Sequence, residues 1–168
     1  MKPQVLIIMG SDSDMPIMAC AEEILKKLKI PYEMTIASAH RTPERSVKIA
    51  SEAEEKGIEV IIAGAGMAAH LAGVIAAHTI IPVIGVPIDS SPLHGIDSLL
   101  STVQMPPGVP VATMAIGKAG AKNAAILSAQ IIGRKDQAIV KRLKDYRKKM
   151  AEEIEKKAQA IKGSNDQQ

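Results

Sequence analysis

Three short segments of the chain combine small, hydroxyl-bearing and titratable residues in a way that suits a phosphorylated substrate. The first is Gly10-Ser11-Asp12-Ser13-Asp14. Gly10 permits a sharp turn, and Ser11 and Ser13 bring hydroxyls to a helix start, whose free N–H groups and dipole favour an anion such as phosphate. Asp14 is suited to accept two hydrogen bonds, as from a ribose diol. The same residue types also serve as plain helix caps, so binding and capping both stay open for this loop. It is neither a G-x-G-x-x-G turn nor a P-loop ending in Gly-Lys-Ser/Thr, so no dinucleotide or nucleoside triphosphate fingerprint is present.

The second segment is Ser38-Ala39-His40-Arg41-Thr42-Pro43. The Arg41 guanidinium, placed just before a helix, is suited to clamp a phosphate through two parallel hydrogen bonds; a structural ion pair is its competing role. An unperturbed imidazole titrates near ~6.5, which suits His40 to give and take a proton at neutral pH, although a lone histidine also serves as a structural hydrogen bonder. The third segment, 64–73, reads Gly-Ala-Gly-Met-Ala-Ala-His-Leu-Ala-Gly. Its small residues, Ala65 and Gly66 among them, let a ring approach the backbone, or else serve tight helix–sheet packing. His70 has either role open to it; His78 and His94 sit in no supporting pattern. The histidines lack cysteine or carboxylate neighbours at zinc-ligand spacing, so no metal site is expected.

These segments must be held by elements that alternate along the chain. Continuously apolar runs at 4–9, 32–37, 60–63, 82–86 and 111–115 read as strands. Helical periodicity appears at 16–29, 43–56, 68–78, 121–132 and 134–162. Pro16 and Pro43 suit first-turn positions, Thr42 suits an N-cap, and Gly57 a helix stop. Buried apolar strands alternating with helices predict a doubly wound, three-layer α/β domain with a central parallel sheet, of the flavodoxin or Rossmann type, followed by a long C-terminal helix. In such a sheet the ligand crevice lies at the carboxyl ends of the strands, where all three segments fall. Residues 1–162 read as one domain and 163–168 as a frayed tail.

Composition narrows the class further. A chain of 168 residues that is 46% hydrophobic can bury a sizeable single core. No apolar run reaches the ~18 residues of a membrane helix, and the N-terminus leads into a strand rather than a secretory signal, so a cytoplasmic protein is expected. Cys20 has no internal partner and reads as a buried thiol on a helix. Tyr32 and Tyr146 are the only aromatic residues, which leaves no stacking platform for single-stranded nucleic acid and no ring pair to sandwich a flavin. Beyond residue 133 there are eleven basic and six acidic residues, against ten and twelve before it. The basic excess therefore belongs to the terminal helix and reads as a solvated face rather than a nucleic-acid surface.

Taken in order, the three segments, Asp97-Ser98-Leu99 leading to Gln104-Met105-Pro106, and Ala115-Ile116-Gly117-Lys118-Ala119-Gly120-Ala121-Lys122-Asn123-Ala124-Ala125 resemble the N5-carboxyaminoimidazole ribonucleotide mutases of de novo purine synthesis. The resemblance runs from the first strand to the terminal helix. It implies transfer of a carboxyl group from the exocyclic nitrogen of an aminoimidazole ribonucleotide to its ring carbon, without metal, ATP or organic cofactor. It implies that Ser13, Ser38 and Arg41 hold the phosphate, that Asp14 holds the ribose, and that Ser11, Ala65 and Gly66 border the ring and its carboxyl group. It makes His40 the proton shuttle, gives His70 a weaker place in the site, and implies a homo-octamer. The loop Gln104-Met105-Pro106-Pro107-Gly108 is then a candidate to reach a neighbour's site. Two positions depart from the family's Gly-Ala-Gly-Gly-Ala-Ala-His-Leu-Pro-Gly: Met67 stands in place of the fourth residue and Ala72 in place of the proline. Direct carboxylation by carbon dioxide and a non-catalytic nucleotide-binding module are the alternative functions.

Overall fold

A computed structural model describes residues 2–165. Five strands, β1 (Val5–Met9), β2 (Tyr32–Ile36), β3 (Val60–Gly66), β4 (Val83–Ile88) and β5 (Ala112–Thr113), form one sheet in the order β2-β1-β3-β4-β5. Every neighbouring pair is parallel. The helices are α1 (Met15–Lys27), α2 (Pro43–Glu52), α3 (Leu71–Ala77), α4 (Ile96–Val103), α5 (Lys118–Gly133) and α6 (Gln137–Asn165). The architecture is the expected three-layer, flavodoxin-like α/β fold with a long C-terminal helix.

Alternation along the strands divides the core in two. Val5, Ile7 and Met9 of β1 pack with Val60, Ile62, Ile84, Val86 and Ile88 beneath α1 and α5, with Ile139 of α6 closing that layer. Leu6, Ile8, Ile61, Ala63 and Val83 face α2 and α3 on the other side. α1 buries Met18, Ala21, Ile24 and Leu25 against this sheet, and Cys20 lies half-buried beside them rather than fully inside. Gly64 of β3 allows this approach, because a Cβ there would collide with the Met18 thioether.

Several boundaries differ from those expected, each for a local reason. β3 runs on through Ala65 and Gly66, since small residues do not interrupt pairing with β4. α2 loosens after Glu52, yet Gly57 (φ +85°) still closes the turn: Ile58 N–H donates to the Ala53 carbonyl and Gly57 N–H to that of Glu54, a Schellman arrangement. The same closure follows α1, with Lys29 (φ +53°) in the glycine position. Thr42 precedes α2 but makes no side-chain cap. Its hydroxyl instead accepts from Ser38 N–H at 3.0 Å and donates to the Ser38 carbonyl at 3.1 Å, closing the loop before the helix. α6 continues to Asn165, into the segment expected to fray, whose last three positions lie outside the described residues.

Helix α4 escapes the sequence reading because its pattern is inverted. Ser98 and Thr102 are its buried residues, while Ile96, Leu100 and Val103 face outward, each about half exposed. Ser98 Oγ lies 2.9 Å from the carbonyl oxygens of both Ile88 and Gly95, and Thr102 Oγ1 donates to the Ser98 carbonyl at 2.7 Å. Among the described residues no helix is long and apolar enough to cross a membrane.

Candidate active site

The strand order reverses between β1 and β3, and the loops leaving their carboxyl ends diverge to open a crevice there. A cleft of about 530 Å³ occupies that point, lined from the ends of β1, β2, β3 and β4. All nine residues singled out from the sequence, Ser11, Ser13, Asp14, Ser38, His40, Arg41, Ala65, Gly66 and His70, border it; His78 and His94 do not.

The loop after β1 uses part of its polarity on itself. A single 3₁₀ turn, Asp12–Asp14, is closed by a reciprocal cap: Ser11 Oγ accepts from Ser13 N–H, and the Asp14 carboxylate accepts from Ser11 N–H at 3.0 Å. Ser11 Oγ also donates to Asp12 Oδ1 at 3.0 Å. The capping role left open by the sequence is thus realised by Ser11 and Asp14, and Ser13 lines the cleft. Asp14 is nearly inaccessible, at 4% exposure. Burial raises its pKa, opposed by the N–H groups of Ser11 and Gly10; the Asp12 charge adds to the rise and the Arg41 charge counters it. Asp12 is exposed, and its pKa is lowered by the Ser11 hydroxyl and then the Ser13 N–H.

The loop after β2 places Arg41 across the cleft. Its guanidinium donates to the Gly10 carbonyl at 3.4 Å, and its own N–H donates to Ser38 Oγ at 3.2 Å. Ser38, Arg41 and the Ser13 side of the first loop therefore form one polar wall. Elsewhere in the same lining His40 Nε2 stands 2.7 Å from His70 Nδ1, the rings edge to face with centroids 4.7 Å apart. His70 Nδ1 also lies 3.0 Å from the Ala68 carbonyl. A carbonyl oxygen only accepts, so a proton on His70 Nδ1 satisfies Ala68 and leaves the His40 Nε2 lone pair as acceptor. When His40 Nε2 carries the proton, it donates to His70 instead.

The third wall is apolar and close. Ala65 and Gly66 continue β3 into the cleft, and a Cβ on Gly66 would collide with Ser90 Oγ. Ser90, at the end of β4, went unremarked in the sequence. Its place two residues after an apolar run is the available signal, since crevice residues follow strand ends. Met67 adopts φ +56° with its side chain 58% exposed. That left-handed conformation costs a non-glycine residue about 1–2 kcal/mol and is one that glycine adopts freely, in keeping with the glycine that the resemblance leads one to expect at this position. Ala72, the second departure, lies in α3 and is buried against the sheet. Among the described residues no three His, Cys, Asp or Glu side chains gather as a metal-ligating group.

Comparison with known proteins shows the family. The family model described as AIR carboxylase matches residues 4–153. The chain belongs to that family. It is 59% identical over 160 residues to the N5-carboxyaminoimidazole ribonucleotide mutase of Pyrococcus horikoshii, covering 95% of this chain and 89% of that one. It is 58% identical over 159 residues to the Thermotoga maritima protein of the same name, covering 95% and 92%. Among solved structures, that of Treponema denticola PurE superposes with a TM-score of 0.83 at 32% identity, covering 92% of this chain and 95% of that one. The matched region contains every loop of the cleft, so family membership and site geometry concern the same residues.

Proposed function

We propose that this chain is an isomerase of purine biosynthesis that interconverts N5-carboxyaminoimidazole ribonucleotide and 4-carboxy-5-aminoimidazole ribonucleotide in this cleft. The observation that carries the reading is the pairing of a polar wall suited to a nucleotide's phosphate and ribose with a two-histidine wall about one crevice. Ser13, Ser38 and Arg41 take the phosphate, Asp14 the ribose hydroxyls, and Ser11, Ala65 and Gly66 the ring and its carboxyl group.

His40 begins protonated and gives its proton to the exocyclic nitrogen of the carbamate. The N–C bond breaks, releasing neutral carbon dioxide and leaving the amine. The ring carbon attacks carbon dioxide, forming the C–C bond, and its proton passes to the now neutral His40. The histidine is thus restored, and no oxidant, reductant or external proton is consumed. One group serving as acid and then base suits an imidazole near neutral pH. His70 positions the His40 ring through the hydrogen bond at His40 Nε2. Holding both fragments in one cleft makes recombination intramolecular, an advantage of up to ~7–11 kcal/mol in well-oriented cases.

Several copies of the chain assemble, an octamer being the form we favour, and the outward apolar face of α4 supports a second copy as its cover. Met105 packs toward Gly73 of its own α3, while Pro106 to Gly108 are exposed and available to a neighbour. The single unpaired thiol suits a reducing compartment, and we place the enzyme in the cytoplasm, acting on a small ribonucleotide rather than on nucleic acid or a membrane.

The deciding assay follows formation of 4-carboxy-5-aminoimidazole ribonucleotide by absorbance, without ATP or added metal. One reaction starts from the N5-carboxylated nucleotide, the other from aminoimidazole ribonucleotide with low bicarbonate. Rapid product from the first alone is expected. Product only from the second would make the protein a direct carboxylase, and nucleotide binding without product from either would make it a binding module.

A further inference from the structure

Met67 is among the cleft residues that the proposed chemistry does not use, and three observations set it apart. Its backbone is held in the left-handed region at φ +56°, where L side chains are disfavoured. Its side chain is 58% exposed although it lines the cleft directly after Ala65 and Gly66. The other apolar side chains lining the cleft are Ala39, Ala65, Ala68 and Leu71, and Leu71 is buried at 2% exposure. Met67 alone therefore offers a long, unbranched apolar side chain able to sweep across the opening. A thioether on three rotatable bonds adapts to an irregular surface and packs favourably on the edge of a flat ring. Strain retained beside a binding cleft is the circumstance in which an outlying backbone angle points to function.

Resting on the mutase reading above, we propose that Met67 is a retention residue: its side chain closes over the aminoimidazole at the carboxyl end of the cleft and holds carbon dioxide there between the two steps. The need is chemical. Carbon dioxide is small, neutral and freed of any covalent tether once the N–C bond breaks, so neither the polar wall nor the histidines can hold it by charge. An apolar cover can, by blocking exit and excluding the water into which it would escape. A glycine at this position leaves that side of the cleft to the backbone alone; in this chain the methionine narrows it.

The test measures leakage rather than rate. N5-carboxyaminoimidazole ribonucleotide is converted in 13C-bicarbonate with carbonic anhydrase present, and the labelled fraction of early product is read by mass spectrometry. Wild type is compared with Met67→Gly, which relieves the left-handed strain and so folds, and with Met67→Leu, which keeps the apolar bulk. The expected result is a labelled fraction at least fivefold higher for Met67→Gly, with Met67→Leu within twofold of wild type. Equal labelling in all three proteins, with product still formed, would overturn the retention role and leave the mutase reading standing. Failure of all three to convert the N5-carboxylated nucleotide would overturn both.

Discussion

His40 Nε2 and His70 Nδ1 stand 2.7 Å apart, a separation with room for one proton between two ring nitrogens. An asparagine in place of His40 keeps a polar side chain of similar reach but cannot carry the proton from nitrogen to carbon. His40→Asn is therefore expected to lower turnover by ~10²–10⁴-fold, the usual weight of a positioned acid–base group, with nucleotide affinity nearly unchanged. Steady-state absorbance and calorimetry separate the two, and near-normal turnover would remove His40 from the mechanism. His70→Asn, acting only through its neighbour, is expected to cost less and to displace the pH–rate profile.

Arg41 is held at the mouth of the cleft by the Gly10 carbonyl and by Ser38. Lysine keeps the charge but cannot present two parallel donors to a phosphate. With charged hydrogen bonds contributing ~1.5–3 kcal/mol, Arg41→Lys is expected to raise KM by about 10- to 100-fold while kcat changes little. A change confined to kcat would contradict the phosphate role.

How much of this was legible in the sequence depended on how local the signal was. The sheet and its two faces followed from continuously apolar strands, and the cleft from the rule that ligands sit beyond strand ends. Helix α4 was hidden because Ser98 and Thr102 are its buried side and Leu100 its exposed side, the reverse of what an isolated domain requires. Thr42 stands before Pro43, where a cap is expected, yet its hydroxyl bonds back to Ser38, a choice that depends on the loop's three-dimensional path. The contact between His40 and His70, thirty residues apart, is likewise made by the adjacency of chain ends in space.

Asp14 offers a test in which stability and binding move oppositely. Burial raises its folded-state pKa above the ordinary 3.8, so between those two values the folded protein binds more protons than the unfolded chain. Stability contributed by the protonated form is then full below about 3.8 and lost as pH rises through the folded value. Asp14→Asn removes this penalty and keeps an oxygen to accept from Ser11 N–H. Its Tm is expected to exceed wild type at pH 7, by about 2–4 °C for each kcal/mol recovered in a chain of this size, and the excess to vanish in acid. The same variant is expected to bind ribonucleotide more weakly, since an amide accepts fewer hydrogen bonds than a carboxylate. A lower Tm at neutral pH would show that the carboxylate stabilises the free protein.

The outward face of α4 predicts assembly. Ile96, Leu100 and Val103, with Leu93 just before the helix, leave apolar side chains about half exposed or more along one side of a short helix beside the two-residue edge strand β5. Contiguous apolar exposure of this kind marks an interface, and covering one such leucine contributes about 1.5–3 kcal/mol. Leu100→Glu would set a charge in that face without touching Ser98 or Thr102, whose hydrogen bonds hold the helix to its own sheet. The variant is expected to fold, with unchanged circular dichroism, and to fall to a smaller species in light scattering. If residues 106–108 complete a neighbour's cleft, turnover should fall with the assembly and recover when protein concentration restores it. A wild-type protein that runs as a monomer would overturn this, and α4 would then be an inverted helix with no partner to explain it.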